Sequence, residues 1–380
     1  MDGQNGSCIC TRRQQVLTIM NQLSILLPYA LSLTILKELE YLSFNAKKHI
    51  PDEKQHASSS WDGSLRIHDA AAKTALVSKS VERPLLSLAT QKEGSESVFC
   101  GGIDGSIHKL DVEKDSVSFV GVHSDAGSSE DKKMACSCLA FANGESTLLA
   151  SAGWNGKFSL WDVRWNKRVA SIDLPGKAFD MDVSRDCKMA VVATSGRRNC
   201  LLDLRTSKIL LDDQENASDD EAVKVMLDRE SSLKYQTRCV RFFPNGVGLA
   251  VGSIEGRVAI EYLDDVGIAS GKKKYAFKCH RISDTIYPVN TIAFHPEFGT
   301  FATGGADGTV VTWDGNSKKK ISSIAKLPTS VACVAFNHDG TQIAMASSYT
   351  FEEGERDHPR DEIFVREVLE SEVKPKGVSK

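Results

Sequence analysis

Residues 301–314 read FATGGADGTVVTWD, and this stretch decides the fold. The pattern predicts two short apolar strands joined by a tight turn at Asp307 and Gly308. Asp307 can accept a hydrogen bond from the backbone of its own turn, and Gly308 tolerates the positive φ that such turns need. A single hairpin cannot bury both faces and would be marginal in water. The fold therefore depends on whether the chain repeats the unit.

Related units recur along the chain. Their turn glycines, spaced ~40–60 residues apart, are Gly63, Gly105, Gly156, Gly196, Gly256 and Gly308. A seventh unit is indicated by residues 342–348 and, after a polar loop, by residues 362–365. Units of this length, two of which end in Trp-Asp (161–162 and 313–314), predict an all-β, seven-bladed WD40 β-propeller. The alternative is a β-sandwich with chance Asp-Gly turns, and the regular repetition argues against it.

The charge and the cysteine spacing argue against two classes of function, nucleic-acid coating and zinc binding. The chain has 380 residues, 41% of them hydrophobic, and a net charge of −3, which argues against direct coating of nucleic acid. Its ten cysteines form no Cys-x-x-Cys pair and have no histidines at zinc-ligand spacing. We therefore expect buried free thiols of a reducing compartment, with no metal and no cofactor.

The repeats divide the chain into three parts. Residues 1–50 are expected to be an atypical N-terminal extension, helical or disordered, residues 51–370 the propeller, and residues 371–380 a polar tail. The extension contains an uncharged segment, Val16 to Leu36, which resembles a signal peptide or weak membrane anchor. Its polar interruptions favour an extension that does not bind a membrane.

Two stretches depart from the repeat. The polar run Asp52 to His56 stands where an apolar strand is expected before Trp61, so the first blade is irregular. The acidic stretch 212–230 is expected to be an exposed insertion between blades.

Propeller symmetry places the Asp-Gly turns on one rim, where distant residues can form a binding face. Trp61 and Trp154 each precede such a turn, and exposed tryptophans are enriched in binding hot spots. Cations that suit a phosphate or carboxylate cluster in and around the fifth unit, and they are Arg238, Arg257, Lys278 and Arg281. The alternative is that the tryptophans pack on a neighbouring blade and the cations are ordinary surface charges.

Several segments carry a family resemblance. They are SSLKYQTR (231–238), SIEGRVAIE (253–261), KYAFKCHR (274–281), YPVN (287–290), the stretch 301–314, PTS (328–330), ASSYT (346–350) and IFVR (363–366). The chain resembles, over about residues 59–376, the mitotic spindle-checkpoint WD-repeat family, whose members are partners of the budding-uninhibited-by-benzimidazole checkpoint kinases. Residues 1–50 fall outside the resemblance.

The resemblance implies an adaptor without catalytic activity. One face would bind a GLEBS peptide of a checkpoint kinase or its pseudokinase relative, with Trp61 and Arg238 in the groove, and Trp154 joins them by its equivalent turn position. The same face would bind a phosphothreonine in Met-Glu-Leu-Thr repeats of a kinetochore scaffold through Arg257 and Lys278. The mitotic checkpoint complex is a further implied partner. The implied location is the nucleus, with kinetochores in mitosis and part of the protein in the cytoplasm.

Three other functions are open from the sequence. The sister WD-repeat factor of messenger-RNA export also binds GLEBS-type peptides at the nuclear pore. A substrate receptor of a cullin-RING ubiquitin ligase would use the WDxR boxes at 161–164 and, more weakly, 202–205. An enzyme is disfavoured, because the chain has no Gly-x-Ser-x-Gly, Walker or His-Glu-x-x-His motif. The histidines in strand-like runs, His68, His108 and His280, suggest structural roles.

Overall fold

The structure is a computed structural model, and it describes residues 36–41 (backbone only), 55–69, 72, 74–91, 97–123, 134–144, 147–205, 223–263 and 273–375. Nearly all regular structure in these ranges is β-strand. Blade 1 contains β1 (Leu36–Tyr41), β2 (Gln55–Ser60), β3 (Ser64–Asp69) and β4 (Thr74–Ser80). Blade 2 contains β5 (Leu85–Thr90), β6 (Ser97–Gly102), β7 (Ser106–Asp111) and β8 (Ser116–Val122). Blade 3 contains β9 (Cys136–Phe141), β10 (Leu148–Gly153), β11 (Lys157–Asp162) and β12 (Lys167–Asp173).

The second half of the chain continues the pattern. Blade 4 contains β13 (Ala178–Val183), β14 (Met189–Thr194), β15 (Arg198–Asp203) and β16 (Lys224–Glu230). Blade 5 contains β17 (Thr237–Phe242), β18 (Gly248–Ser253), β19 (Arg257–Tyr262) and β20 (Tyr275–Lys278), and a small hairpin of β21 (Arg281–Ile282) and β22 (Thr285–Ile286) follows it. Blade 6 contains β23 (Val289–Phe294), β24 (Phe301–Gly305), β25 (Thr309–Asp314) and β26 (Lys319–Lys326). Blade 7 contains β27 (Val331–Phe336), β28 (Gln342–Ser347) and β29 (Glu362–Glu367), and a short helix, α1 (Glu370–Val373), ends the described chain.

The blades close into a ring. Within each blade the strands are antiparallel neighbours in chain order, and the first strand is the innermost. Each innermost strand contacts the innermost strand of the next blade, and β27 of blade 7 contacts β1 of blade 1. The predicted seven-bladed propeller is confirmed for the described part of the chain.

The six predicted glycines all lie in the turn between the second and third strands of their blades, with φ between 61° and 81°. Asp307 accepts a hydrogen bond from Thr309 N at 3.0 Å, as expected of the turn. In blade 5 the turn meets both neighbouring strand ends, because Cys279 N donates to Gly256 O at 2.9 Å and Ile254 N donates to Gln236 O at 3.1 Å. The turns, the ends of the outer strands and the starts of the inner strands therefore share one surface, which we call the turn face.

The core lies between the blades. Each pair of consecutive blades from 1 to 7 encloses its own cluster of buried apolar side chains, such as Phe158 and Leu202 between blades 3 and 4. Burial of a side chain of this size contributes roughly 1.5–3 kcal/mol. Each blade therefore depends on its neighbours for the burial of its faces.

Two blades carry a buried polar network beneath the turn. In blade 6, Trp313 Nε1 lies 2.9 Å from Thr303 Oγ1, which lies 2.8 Å from His280 Nε2. His280 Nδ1 then lies 2.9 Å from Asp307 Oδ1. Blade 3 repeats the arrangement with Trp161, Ser151, His123 and Asn155. These networks link each turn to the strand end of the preceding blade.

The start of the propeller differs from the prediction for Asp52 to His56. Residues 55–60 form β2 despite their polarity, with five of six residues buried. The strand forms because β1 and β3 supply backbone partners on its two edges. Residues 36–41 of the predicted extension supply β1, and the rest of that extension lies outside the described residues.

Two further expectations need correction, the acidic insertion and the position of His280 in a strand. Residues 224–230 of the predicted acidic insertion form β16, the outer strand of blade 4, whereas residues 206–222 lie outside the described residues. His68 and His108 lie in strands, but His280 lies after β20, with a φ of 47°. Residues 371–375, part of the predicted polar tail, pack on blade 6, where Thr300 Oγ1 donates to Val373 O at 2.6 Å.

Candidate functional site

The turn face brings the predicted site residues to one surface of the ring. Trp61 precedes the turn of blade 1 and Trp154 the turn of blade 3. Arg257 is the first residue of β19, Lys278 the last of β20, and Arg238 the second of β17, so all three lie at the turn-face end of blade 5. The three cations therefore share one end of blade 5, Arg238 on its innermost strand and the other two on its outer strands, whereas the two tryptophans are on separate blades.

Arg238 occupies a repeated irregularity of the fold. Every innermost strand has one extra residue near its turn-face end, and this residue forms a β-bulge. The seven bulge residues are Lys37, Leu86, Ser137, Phe179, Arg238, Asn290 and Ala332. Because the innermost strands surround the axis of the ring, these residues form a circle at the mouth of the central channel.

Two bulge side chains hold the next blade. Ser137 Oγ donates to Ala178 O at 2.8 Å, and Asn290 Nδ2 donates to Val331 O at 2.8 Å. Arg238 has no such hydrogen bond among the described residues and is half-buried. Burial lowers the pKa of its guanidinium and the nearby Glu352 carboxylate opposes this, so Arg238 stays charged.

The other two cations of blade 5 lie directly opposite each other. Arg257 in β19 and Lys278 in β20 are register partners across the two outermost strands. Arg257 Nε lies 3.3 Å from Glu255 Oε2 in its own turn, and the Arg257 side chain is 35% exposed. Lys278 is exposed, and no carboxylate of the described residues lies within 4 Å of its ammonium group.

Arg281 is a third cation beside this turn. Its Nη2 donates to Glu255 O at 3.0 Å, and its half-buried side chain leaves Nε without a partner. Ile286 covers the turn from the same hairpin, because a Cβ added at Gly256 would lie 3.0 Å from Ile286 Cγ2. The cations therefore stand beside a rigid, tightly packed turn.

The two tryptophans are half-buried, so each keeps an accessible part on the turn face. The turn of Trp61 is held by Asp62, which accepts from Ser64 N at 2.8 Å and pairs with Arg66 at 3.0 Å. The turn of Trp154 is held by the hydrogen bond from Trp154 N to Ala135 O at 3.0 Å. Both indoles are thus presented by fixed backbone.

Sequence reasoning missed the acidic residues of the site. Glu255 is the ion-pair partner of Arg257. The pair could have been predicted, because Glu255 precedes Arg257 by two residues in the same turn. Glu261 is 2% exposed and stands at the position that Trp313 has in blade 6. Glu352 lies in the connection between β28 and β29, and no repeat pattern indicates its approach to Arg238.

The WDxR arginines and the cysteines of the described ranges take part in contacts within the fold or are buried in it. The WDxR arginine Arg164 binds Asp162 of its own box through two hydrogen bonds, at 3.0 and 2.7 Å, and Arg205 binds Asp203 in the same way. Eight cysteines lie in the described ranges, all as free thiols and all buried except Cys187. Within the same ranges, no cluster of His, Cys, Asp and Glu could hold a metal ion, and no helix could span a bilayer.

Comparison with known proteins supports the assignment of the chain as a WD-repeat protein that resembles mitotic checkpoint proteins. The WD domain, G-beta repeat family matches residues 271–314. The mitotic checkpoint protein bub3 of Dictyostelium discoideum is 38% identical over 83% of this chain and 88% of its own. The mitotic checkpoint protein BUB3.1 of Arabidopsis thaliana is 39% identical over 84% of this chain and 87% of its own.

A related branch is also similar. The poly(A)+ RNA export protein of Schizosaccharomyces pombe is 31% identical over 86% of this chain and 88% of its own. The mitotic checkpoint proteins share more residues over a similar length. With its closed ring of seven blades and this level of identity, the chain belongs to the Bub3 family of mitotic checkpoint WD-repeat proteins.

Proposed function

We propose that this chain is a non-catalytic adaptor of the spindle assembly checkpoint. Its turn face binds GLEBS peptides of checkpoint kinases and a phosphothreonine in Met-Glu-Leu-Thr motifs, and so recruits the kinases to kinetochores. The observation that carries the proposal is the placement of Arg257 directly opposite Lys278 in blade 5.

Two like charges directly opposite on neighbouring strands are destabilising. Glu255 compensates only Arg257, and no described carboxylate pairs with Lys278. A phosphate group would relieve this repulsion, since it carries about two negative charges at neutral pH. Arg257 offers forked N–H donors and Lys278 a compact charge, which together suit a phosphorylated side chain.

The peptide groove would extend across the rest of the turn face. Trp61 and Trp154 lie two blades apart, and Arg238 lies two blades beyond Trp154. An extended peptide can cross such a distance, with the two indoles as apolar anchors and Arg238 as partner for a carboxylate. The phosphate site at the rim of blade 5 remains separate, so one face serves two ligands.

The double charge reversal Arg257→Glu with Lys278→Glu tests the proposal. We expect the variant to lose binding to a Met-Glu-Leu-phosphothreonine peptide by at least ~100-fold, since two charge-assisted contacts become repulsive. Binding to a GLEBS peptide should change less than about threefold. Isothermal titration calorimetry measures both affinities.

The matched control is Lys319→Glu with Lys320→Glu. It changes the net charge equally, but at the exposed start of β26, away from the turn face. The control should bind both peptides as the unmodified protein does. Equal phosphopeptide affinity in the charge-reversed variant and the unmodified protein would contradict the phosphate site.

A second function is favoured by the similarity to the RNA export protein of Schizosaccharomyces pombe. An mRNA export factor would bind a GLEBS-type peptide at the nuclear pore through the same face. Fluorescence microscopy of the tagged protein separates the two functions. We expect kinetochore foci in prometaphase, and a nuclear rim throughout interphase without foci would support the export function.

A further inference from the structure

The connection between β28 and β29, residues 348–361, approaches the channel mouth from blade 7, and we call it the blade-7 loop. Asn290, the bulge residue of blade 6, donates from Nδ2 to Val331 O at 2.8 Å and to Thr350 Oγ1 at 3.4 Å. The Thr350 hydroxyl in turn donates to a carboxylate oxygen of Glu352. A chain of polar contacts thus leads from the circle of bulge residues to Glu352.

The blade-7 loop is anchored. The Tyr349 side chain is 1% exposed, and its hydroxyl donates to Gly354 O at 2.9 Å and accepts from Glu353 N at 2.9 Å. The guanidinium of Arg356 lies 4.6 Å from the centre of the same ring. These contacts fix both sides of Glu352, so the loop holds its carboxylate in place.

The contact with Asn290 of blade 6 brings the blade-7 loop towards Arg238 of blade 5. Arg238 is the bulge residue of blade 5, and β17 packs beside β23, which carries Asn290. No described carboxylate forms an ion pair with Arg238 within 4 Å, whereas Glu352 is near enough to act on its charge. The half-buried Glu352 therefore supplies negative potential where Arg238 would receive a ligand.

We propose that Glu352 is a resident anion that competes with the carboxylates of an acidic peptide for Arg238. The inference rests on the proposed peptide groove and adds a residue that sets its affinity. A peptide carboxylate that approaches Arg238 meets repulsion from Glu352. Removal of that charge should strengthen binding, and the gain should depend on Arg238.

Calorimetric titration with a synthetic GLEBS-type peptide carrying acidic side chains tests the inference. Glu352→Gln keeps the hydrogen-bonding shape and removes the charge, and it should bind the peptide about three- to tenfold more tightly, as coupled neighbouring charges allow. The control Glu355→Gln removes an exposed charge from the same loop and should change affinity less than about twofold. Thermal melting checks that each variant is folded.

The double mutant gives the decisive comparison. With Arg238→Ala already present, Glu352→Gln should give no gain, because the competed cation is gone. If Arg238→Ala weakens binding but Glu352→Gln alone does not tighten it, the inference fails and the peptide groove stands. If Arg238→Ala leaves binding unchanged, both the groove assignment of Arg238 and the inference fail.

Discussion

Blades 5 and 6 have the same four-stranded plan, but their polar groups are used differently. In blade 6 the turn carboxylate of Asp307 binds His280, and the network continues through Thr303 to Trp313. These groups satisfy one another inside the protein. In blade 5 the turn carboxylate of Glu255 faces Arg257, and both lie at the rim.

Two residues of the polar network in blade 6 are replaced at the corresponding positions of blade 5. Val251 replaces Thr303 and Glu261 replaces Trp313. Glu261 accepts from Ser232 Oγ at 2.7 Å and from Arg229 Nη2 at 2.8 Å; Arg229 lies in β16 of blade 4 and Ser232 directly after that strand. Glu261 thus holds blade 5 to blade 4, and Arg257 and Lys278 take no part in these contacts. Blade 6 uses its polar groups inside the fold, and blade 5 presents the cations of the proposed site.

The largest effect on stability is expected from His280→Ala, which breaks the polar network of blade 6. The substitution removes the buried hydrogen bonds of His280 to Asp307 and Thr303 and opens a cavity, so the free energy of unfolding should fall by about 3 kcal/mol. Ser232→Ala at the corresponding position of blade 5 removes one hydrogen bond and should cost about 1 kcal/mol. Urea unfolding followed by circular dichroism measures both, and equal losses would contradict the difference between the blades.

Asp307 should make the stability of blade 6 acid-sensitive. Burial would raise the pKa of Asp307, but hydrogen bonds from His280 and Thr309 outweigh it and place the pKa below the ordinary 3.8. The ionised carboxylate therefore stabilises the fold above pH ~3.8, and this stability is lost as the pH falls through the lower folded value. Asp307→Asn should be less stable at neutral pH but lose less stability below pH ~4.

Blade 3 provides the matched control, because Asn155 already stands where Asp307 stands in blade 6. Asn155→Asp should add an acid-dependent loss that the unmodified blade 3 lacks. Melting temperatures at several pH values from neutral to acid measure both variants. Parallel pH profiles for the unmodified protein and Asp307→Asn would show that Asp307 does not contribute in this way.

The smallest effect on stability is expected from Arg257→Ala in blade 5. Its ion pair with Glu255 is partly exposed, so its loss should change the free energy of unfolding by less than about 0.5 kcal/mol. Phosphopeptide affinity should nevertheless fall by about tenfold or more. A large loss of stability without a loss of affinity would mean that Arg257 serves the fold instead of a ligand.

The turns of both blades were predictable because Gly256 and Gly308 supply locally the positive φ that a tight turn needs. The strand β2 was not, because Ala57 is the sole apolar residue from Gln55 to Ser60, and the segment becomes a strand through pairing with β1 and β3. The register of Arg257 with Lys278 depends on a long connection that sequence spacing does not specify. The approach of Glu352 to Arg238 depends on tertiary packing of a loop, which has no periodic signal.

Hydrogen exchange tests the central claim most directly. The protein is compared with and without a Met-Glu-Leu-phosphothreonine peptide, and the exchange rates of backbone amides are measured by mass spectrometry. Our account predicts slower exchange at the turn of blade 5, over residues 253–257 and 278–287, and unchanged exchange at the turn of blade 6, over residues 305–309. Protection at the blade 6 turn alone, or only on the opposite face of the ring, would contradict it.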